Sequence, residues 1–243
     1  MDDTDTLNPE DPYTEVAYWG YTNAIEHLLR KVGQKAPSLD VIKTISSKLF
    51  TCRGELLLHS KNDLTNIPYE KPLLKSLHGF SGRGHCAHPN RFLSFCEKEW
   101  ALGLPVICEP LRSRVYDFST QWLIEEDGSI NHLGTLHLTN GRFGSFRSVS
   151  TKLPQEFPLT ESRKLVEKVR DLKFFGNLGI DAYITEDGEV HVCEVNPRKT
   201  LGYVALQIAR KRGCAITLSF GKTGNTELPP IARAKQMTVI EHI

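Results

Sequence analysis

Apolar residues recur every three to four positions in five stretches of the chain, which is the spacing of an amphipathic helix. These predicted helices cover about residues 14–32, 38–49, 90–102, 160–175 and 200–212. Ser38 is suited to cap the second helix, whose buried stripe would be Ile42, Ile45 and Leu49. A glycine follows the first, the fourth and the last helix and is expected to end each of them.

Shorter stretches of apolar or alternating residues predict strands. They cover residues 71–77, 105–111, 115–123, 129–138 and 215–220. The third and fourth strands would form a hairpin around Asp127 and Gly128. Residues 139–158 contain glycines, arginines and prolines and predict a long loop, which in a compact domain often covers a binding site. A proline-containing tail is expected after residue 220.

Residues 179–198 are the centre of the prediction, because they indicate a second hairpin that carries acidic residues. Asp187-Gly188 is the strongest two-residue turn signal that a sequence can offer. With these two residues as the loop, Glu186 would face Glu189. Every pair farther from the loop follows from the same register.

That register places Asp181 opposite Glu194, and Asn196 on the same face as Glu194. Two carboxylates directly opposite each other repel in an antiparallel pair. Together with an amide oxygen on the same face, they form a set of ligands that Mg²⁺ uses when it bridges a protein and phosphates. An exposed acidic edge is the alternative, and the hairpin alone fits both interpretations equally well.

A glycine-rich loop follows the strand predicted at residues 71–77. The loop from Gly79 to Gly84 contains three glycines and a serine, and Lys75 lies in the strand just before it. Successive backbone N–H groups in such a loop can bind an anion. The sequence matches neither the P-loop nor the dinucleotide-binding glycine pattern. A simple turn is the alternative, and the lysine favours a phosphate.

Composition and charge narrow the classes of function. The 243 residues carry a formal charge of +1, so no global field favours nucleic acid or an anionic membrane. No apolar run approaches the roughly 18–20 residues that span a bilayer, and the acidic N-terminus lacks the features of a signal peptide. The six cysteines include no CxxC pair, which favours a reduced, cytoplasmic protein with free thiols.

The order of these features resembles the ATP-grasp superfamily. A strand lysine precedes a loop of small residues, a strand ending in Glu109 leads into a hinge, and the helix at 160–175 precedes the acidic hairpin. The most specific part is Glu194-Val195-Asn196-Pro197-Arg198 with Asp181 thirteen residues before its glutamate. The resemblance covers about residues 40–215. It implies an α+β fold in which two lobes with antiparallel sheets enclose ATP.

The resemblance also implies a division of the chain. Residues 1–37 would be an acidic tail and a helix left from a preceding domain, 38–110 the smaller lobe and 111–243 the larger lobe. ATP-grasp ligases usually begin with a separate substrate domain of roughly a hundred residues. Here only about forty residues precede the nucleotide-binding part, so this domain is reduced, is a separate subunit, or is missing by truncation.

Roles for single residues follow from the resemblance. Asp181, Glu194 and Asn196 would bind one or two Mg²⁺ ions, for which Mn²⁺ could substitute. Arg198 would be catalytic, as the arginine that contacts the transferred phosphate or the acyl-phosphate. The residues expected to bind ATP are Lys48, Lys75, Gly79, Ser81, Gly82, Arg83, Gly84, Glu109, Pro110, Leu111 and Asp117. Among these, the lysines and the loop would hold the phosphates, residues 109–111 the adenine and Asp117 the ribose.

The activity that the resemblance implies is an ATP-dependent ligase. ATP would activate a small-molecule carboxylate as an acyl-phosphate, and an amine or a thiol would attack it, releasing ADP and phosphate. A small-molecule kinase on the same fold is the first alternative. A nucleotide-binding subunit that needs a partner for its N-terminal domain is the second. A homodimer is also compatible, and neither nucleic acid nor a membrane is expected as a partner.

Overall fold

The computed structural model describes residues 20–79, 84–141, 145–220 and 237–242, which form two antiparallel sheets with flanking helices. The strands are β1 (Leu56–Leu58), β2 (Pro72–Lys75), β3 (His85–Cys86), β4 (Val106–Pro110), β5 (Arg114–Ile124), β6 (Ile130–Asn140), β7 (Phe146–Ser150), β8 (Gly176–Thr185), β9 (Val190–Asn196), β10 (Ala215–Phe220) and β11 (Met237–His242). The helices are α1 (Asn23–Lys31), α2 (Leu39–Ser46), α3 (Lys61–Leu64), α4 (Phe92–Trp100), α5 (Thr160–Asp171) and α6 (Leu201–Arg212). Short 3₁₀ helices cover Lys48–Thr51 and Pro89–Arg91. Within these ranges, every helix falls short of the length and apolarity that a bilayer crossing requires.

The smaller sheet has the strand order β1-β4-β2-β3, and α4 covers it. Its core contains Leu58, Leu74, Cys96 and Val106. The indole Nε1 of Trp100, at the end of α4, donates to the carbonyl of Leu58 over 2.9 Å and fixes the helix on the sheet. The strands predicted at 71–77 and 105–111 and the helix predicted at 90–102 are confirmed here.

The larger sheet has the strand order β11-β10-β7-β6-β5-β8-β9 and is covered on both faces. On one face, α5 packs through Val166 onto Trp122 and Ile180. On the other face, α6 packs through Ala205 onto Leu136 of β6. Because Leu136 pairs with Ser119 of β5, polar residues of β5 share the face that α6 partly covers.

Helix α2 packs on the larger sheet although the sequence groups residues 38–110 as the smaller lobe. Ile42 and Ile45 are buried in the same core as β5, β8 and α5, as their spacing predicts. Ser38 caps the helix through its hydroxyl, which accepts from the N–H of Asp40 over 3.3 Å. Leu49 is 38% exposed and does not continue the stripe, because α2 ends at Ser46 and a 3₁₀ helix follows.

Three other predictions need correction. The stretch 139–158 is not one long loop, because β7 lies within it and pairs with β6 and β10. Only Val149 of β7 is fully buried, so the strand has a weak apolar signal in the sequence. The tail after residue 220 contributes β11, which pairs with β10. Helix α1 begins at Asn23, because the Thr22 hydroxyl accepts from Ile25 N–H and caps the helix there.

Candidate functional site

The loop between β8 and β9 is one residue longer than the sequence predicts. The N–H of Thr185 donates to the carbonyl of Glu189, and the N–H of Gly188 donates to the carbonyl of Thr185, each over 3.0 Å. Gly188 has a φ of +83°, which favours glycine. The predicted pairing of Glu186 with Glu189 is therefore wrong, because Glu186 lies in a three-residue loop.

A β-bulge in β9 moves the register back by one residue. Ala182 pairs with Val192, whereas Asp181 pairs with Glu194, which leaves Cys193 as the extra residue. The longer loop and the bulge shift the register in opposite directions. The prediction that Asp181 faces Glu194 is confirmed, although the loop on which it rested differs.

Asp181 and Glu194 form an acidic pair on adjacent strands. Ser119 Oγ donates to Asp181 Oδ1 over 2.6 Å. The Nδ2 atom of Asn196 lies 3.3 Å from Asp181 Oδ2 and 3.4 Å from Glu194 Oε1. Burial, assisted by the charge of Glu194, raises the pKa of Asp181 to about 7. A divalent cation beside the pair would favour the ionised form of both carboxyl groups.

The donor set fits Mg²⁺ that is shared with phosphates. Mg²⁺ is usually held by one or two carboxylates, and water and substrate phosphates complete its octahedron. Across the described ranges, no group of three or more His, Cys, Asp or Glu side chains could hold a metal without such help. Asn196 turns its amide oxygen towards Arg198 Nη2, at 3.0 Å, so ligation through that oxygen requires a half-turn of the amide.

Two buried lysines lie close enough to each other to interact electrostatically, and one of them contacts the acidic pair. The Nζ atom of Lys48 is 3.7 Å from Glu194 Oε2 and donates to the carbonyl of Gly79 over 2.5 Å. Lys75, at the end of β2, forms an ion pair with Glu109 of β4. Burial lowers the pKa of Lys48; Glu194 opposes this effect and Lys75 adds to it. A second positive charge that lowers the pKa of Lys48 makes this a place where an anion is favoured.

The predicted phosphate loop is closed at its base by β2 and β3. The N–H of Ser76 donates to the carbonyl of Gly84 over 2.8 Å. Gly84 has a φ of +78°, and a Cβ added there would lie 2.0 Å from Ser76 Oγ, so this position requires glycine. Of the loop residues predicted to bind phosphate, Ser81, Gly82 and Arg83 lie outside the described residues.

The segment predicted to contact adenine lies at the end of β4. Glu109 and Pro110 are its last two residues, and Glu109 is buried. The N–H of Leu111 donates to the carbonyl of Lys71 over 2.7 Å, so this N–H is already bonded within the protein. The side chain of Leu111 is 43% exposed and remains free to pack against a base.

Asp117, predicted to lie near the ribose, is paired with a neighbouring arginine. Its Oδ1 accepts from Arg114 Nη1 over 3.1 Å. Arg114 also covers the ring of Tyr183, with 4.1 Å between its guanidinium carbon and the ring centroid. Because Tyr183 pairs with Asp117 across β5 and β8, these three side chains form one polar and aromatic row next to the acidic pair.

Sequence reasoning missed three residues that support the site. Ser119 and Gln121 of β5 are each 2% exposed, and Gln121 hydrogen-bonds both to Ser119 and to Thr200, the N-cap of α6. The signal was the recurrence of the polar residues Asp117, Ser119 and Gln121 at every second position of β5. Thr200 carries no such signal.

Comparison with known proteins shows similarity in structure. No protein-family model and no curated protein match the chain. A biotin carboxylase from Campylobacter jejuni matches 85% of this chain and 58% of its own at 12% identity, with a TM-score of 0.63. The biotin carboxylase domain of the Hydrogenobacter thermophilus 2-oxoglutarate carboxylase matches 79% and 54% at 17% identity, with a TM-score of 0.57. An L-amino acid ligase from Bacillus licheniformis matches 82% and 59% at 11% identity, with a TM-score of 0.59.

These similarities confirm the predicted α+β architecture with two antiparallel sheets. The chain spans less than two-thirds of the length of each of these three structures. At such low identity, the shared feature is the fold.

Proposed function

We propose that this chain, which has the ATP-grasp fold, is a ligase that uses ATP and Mg²⁺ to activate a carboxylate for attack by an amine or a thiol. One observation carries the proposal. Lys48 of the 3₁₀ helix contacts both Glu194 of the acidic pair and the carbonyl of Gly79, at the start of the glycine-rich loop. A cationic group between a phosphate loop and a pair of carboxylates suits a triphosphate that carries a divalent cation.

The similar structures support both the nucleotide and the class of reaction. The Campylobacter enzyme is in complex with β-γ-ATP, and the Hydrogenobacter domain is in complex with MgADP and bicarbonate. The Bacillus enzyme is an amino acid ligase. A carboxylate, or the related bicarbonate, is thus a reasonable acceptor of the γ-phosphoryl group here.

In the proposed complex, Asp181, Glu194 and Asn196 would hold the metal, which would supply positive charge to neutralise the phosphates. Mn²⁺ would fit the same oxygen donors. Lys48 and Lys75 exchange their present partners for phosphate oxygens. The rest of the catalytic effect comes from positioning and from charge, so no covalent protein nucleophile is required.

Arg198 is the proposed catalytic residue. Its backbone N–H donates to the carbonyl of Asn196 over 2.8 Å, and its Nη2 donates to the side chain of the same residue. The backbone contact keeps Arg198 next to the metal ligands, whereas the side-chain contact would be released when the Asn196 amide turns its oxygen to the metal. A planar fork of N–H donors is suited to the transferred phosphoryl group or to the acyl-phosphate.

The remaining nucleotide contacts follow the predicted roles. The backbone of Gly79, Gly84 and the loop between them would cover the phosphates. Residues 109–111 would contact the adenine, through the side chain of Leu111 and through backbone groups other than the bonded N–H of that residue. Asp117 would contact the ribose after separating from Arg114.

The division of the chain is also a proposal. We retain the division into residues 1–37, 38–110 and 111–243, with the last two as the lobes and α2 attached to the larger sheet. A partner subunit or a homodimer could supply the rest of the substrate site.

The experiment that tests this function is an ADP-release screen with Mg²⁺ and ATP over a panel of small carboxylates, with and without amino acids or thiols. A ligase releases ADP only when carboxylate and acceptor are both present. Arg198→Ala should abolish turnover, whereas the exposed Arg163→Ala on α5 should not. A stable phosphorylated product without an acceptor would indicate a kinase, and no turnover despite ATP binding would indicate a partner-dependent subunit; either result overturns the proposal.

A further inference from the structure

We propose that Gln121 is a positioning residue for Asp181, the carboxylate that pairs with Glu194; this inference rests on the proposed metal site. Gln121 contacts none of the predicted ligands. It acts through Ser119 and is itself held by Thr200, so that the start of α6 and the acidic pair are joined by one chain of hydrogen bonds.

The chain of hydrogen bonds runs through four side chains and one backbone group. The N–H of Tyr203 donates to Thr200 Oγ1 over 3.3 Å, and Thr200 Oγ1 donates to Gln121 Oε1 over 2.8 Å. Gln121 Nε2 donates to Ser119 Oγ over 2.8 Å, and Ser119 Oγ donates to Asp181 Oδ1 over 2.6 Å. Every bond in the chain therefore points the same way.

The backbone of α6 sets this direction. An N–H group can only donate, so Thr200 Oγ1 accepts from Tyr203 and offers its proton to the oxygen of Gln121. The amide then presents its nitrogen to Ser119, whose oxygen accepts and whose proton is left for Asp181. In this orientation Ser119 is a donor to the carboxylate, which is the arrangement that favours an ionised ligand.

The amide of Gln121 has little room for another orientation. A Cβ at Gly179 would lie 3.2 Å from Gln121 Nε2, and a Cβ at Gly202 would lie 2.9 Å from the same atom. Both glycines thus leave just enough space for the amide between β8 and α6. Gln121 itself is 2% exposed, so water does not compete for its partners.

In this arrangement the two carboxylate oxygens of Asp181 have different partners. Oδ1 is occupied by Ser119, while Oδ2 faces Asn196 and is the oxygen available to a cation. Thr200 also lies two residues after Arg198, so the same hydrogen bonds fix the loop that carries the catalytic arginine relative to the metal ligand. Fixed ligand orientation is what partners behind a metal site generally provide.

The test compares ATP binding in EDTA with ATP binding in excess Mn²⁺ for each variant. The ratio of the two dissociation constants measures what the metal site contributes. Gln121→Leu keeps the approximate volume and removes both hydrogen bonds. We expect it to reduce the Mn²⁺-dependent gain about tenfold or more and to leave the dissociation constant in EDTA unchanged.

Thr120→Val is the matched control. Thr120 is fully buried in the same strand, and its hydroxyl accepts from Trp122 Nε1 over 2.8 Å, apart from the chain that reaches Asp181. The Thr120→Val variant should keep the full Mn²⁺-dependent gain in ATP affinity. A second pair separates positioning from folding: Thr200→Ser retains the hydroxyl and should keep the gain, whereas Thr200→Val should lose it.

The outcomes are distinct. An unchanged gain in Gln121→Leu, or equal behaviour of the two Thr200 variants if Gln121→Leu does not fold, overturns the positioning role. An equal loss in Thr120→Val also overturns it, because any buried change would then have the same effect. If the wild type shows no gain with Mn²⁺, the proposed metal site fails first.

Discussion

The ammonium group of Lys48 lies 3.7 Å from the Glu194 carboxylate and donates to the carbonyl of Gly79. One side chain therefore joins the base of the glycine-rich loop to the acidic pair on the other sheet. This side chain is only 7% exposed, so its charge attracts a bound anion more strongly than it would in water.

Lys48→Met should weaken ATP binding by about tenfold or more, because it removes a buried positive charge from the proposed phosphate site while keeping its aliphatic length. Isothermal titration with ATP and Mg²⁺ measures the change. Lys43→Met is the control, as this lysine lies on the exposed side of α2 with 66% of its side chain accessible. Equal affinities for wild type and Lys48→Met would contradict the role of Lys48.

Asp181→Asn should stabilise the protein in EDTA while removing its response to Mg²⁺. Burial and Glu194 disfavour the ionised carboxylate, which raises its pKa to about 7, and the amide relieves that penalty. We expect a gain of about 1–2 kcal/mol in the free energy of unfolding, since solvent near the pair reduces the full effect. Urea unfolding measures it, with the exposed Asp171→Asn as control. Lower stability of Asp181→Asn in EDTA would be inconsistent with mutual repulsion.

Gly84→Ala should cost more stability than Gly128→Ala, although both glycines have positive φ values, of +78° and +85°. The backbone conformation alone costs about 1 kcal/mol in each variant. At Gly84 the new Cβ also meets Ser76 Oγ at 2.0 Å, whereas at Gly128 its nearest neighbour is Arg170 Cδ at 3.6 Å. In urea unfolding, we expect Gly84→Ala to lower the free energy of unfolding by about 1–3 kcal/mol more than Gly128→Ala does. Equal losses would disprove the close approach of β2 and β3.

The thiols of Cys96 and Cys108 should resist Ellman's reagent at pH 8 in the folded protein. Burial raises the pKa of Cys96 to about 12 and that of Cys108 to about 11, so the reactive thiolate appears only well above pH 8. All six cysteines should react in concentrated urea. Cys214 is partly exposed, and Cys214→Ser should remove a fast phase. Rapid reaction of all six thiols without urea would contradict this packing.

Much of the fold follows from the periodicity of the apolar residues, because this periodicity shows whether a long amphipathic segment is a helix or a strand. Strand β7 was not predicted, because Val149 is its only fully buried residue. Its pairing with β6 and β10 also depends on residues that are distant in sequence. The packing of helix α2 on the larger sheet could not be predicted for the same reason. Its buried stripe is readable from the sequence, but the identity of its neighbour is not.

The candidate site was predictable where residue type and spacing carry the chemistry, as they do for Asp181 and Glu194. The pairing of Asp181 with Glu194 was predicted correctly because the errors in the loop length and in the regularity of β9 cancel. Neither the three-residue loop nor the bulge at Cys193 has a clear sequence signal. The approach of Lys48 to Glu194 joins residues 146 positions apart and needs the tertiary structure.

The most direct test of the central claim is the stability of the wild type with ATP and Mg²⁺. At a hundred times its dissociation constant, a ligand that binds only the folded state stabilises it by about 2.7 kcal/mol. We predict a shift of this size for the wild type, a clearly smaller shift in EDTA, and a clearly smaller shift in Glu194→Gln, which keeps the shape of the side chain but not its charge. If neither ATP nor ADP with Mg²⁺ stabilises the wild type, this chain is not a Mg²⁺–ATP enzyme.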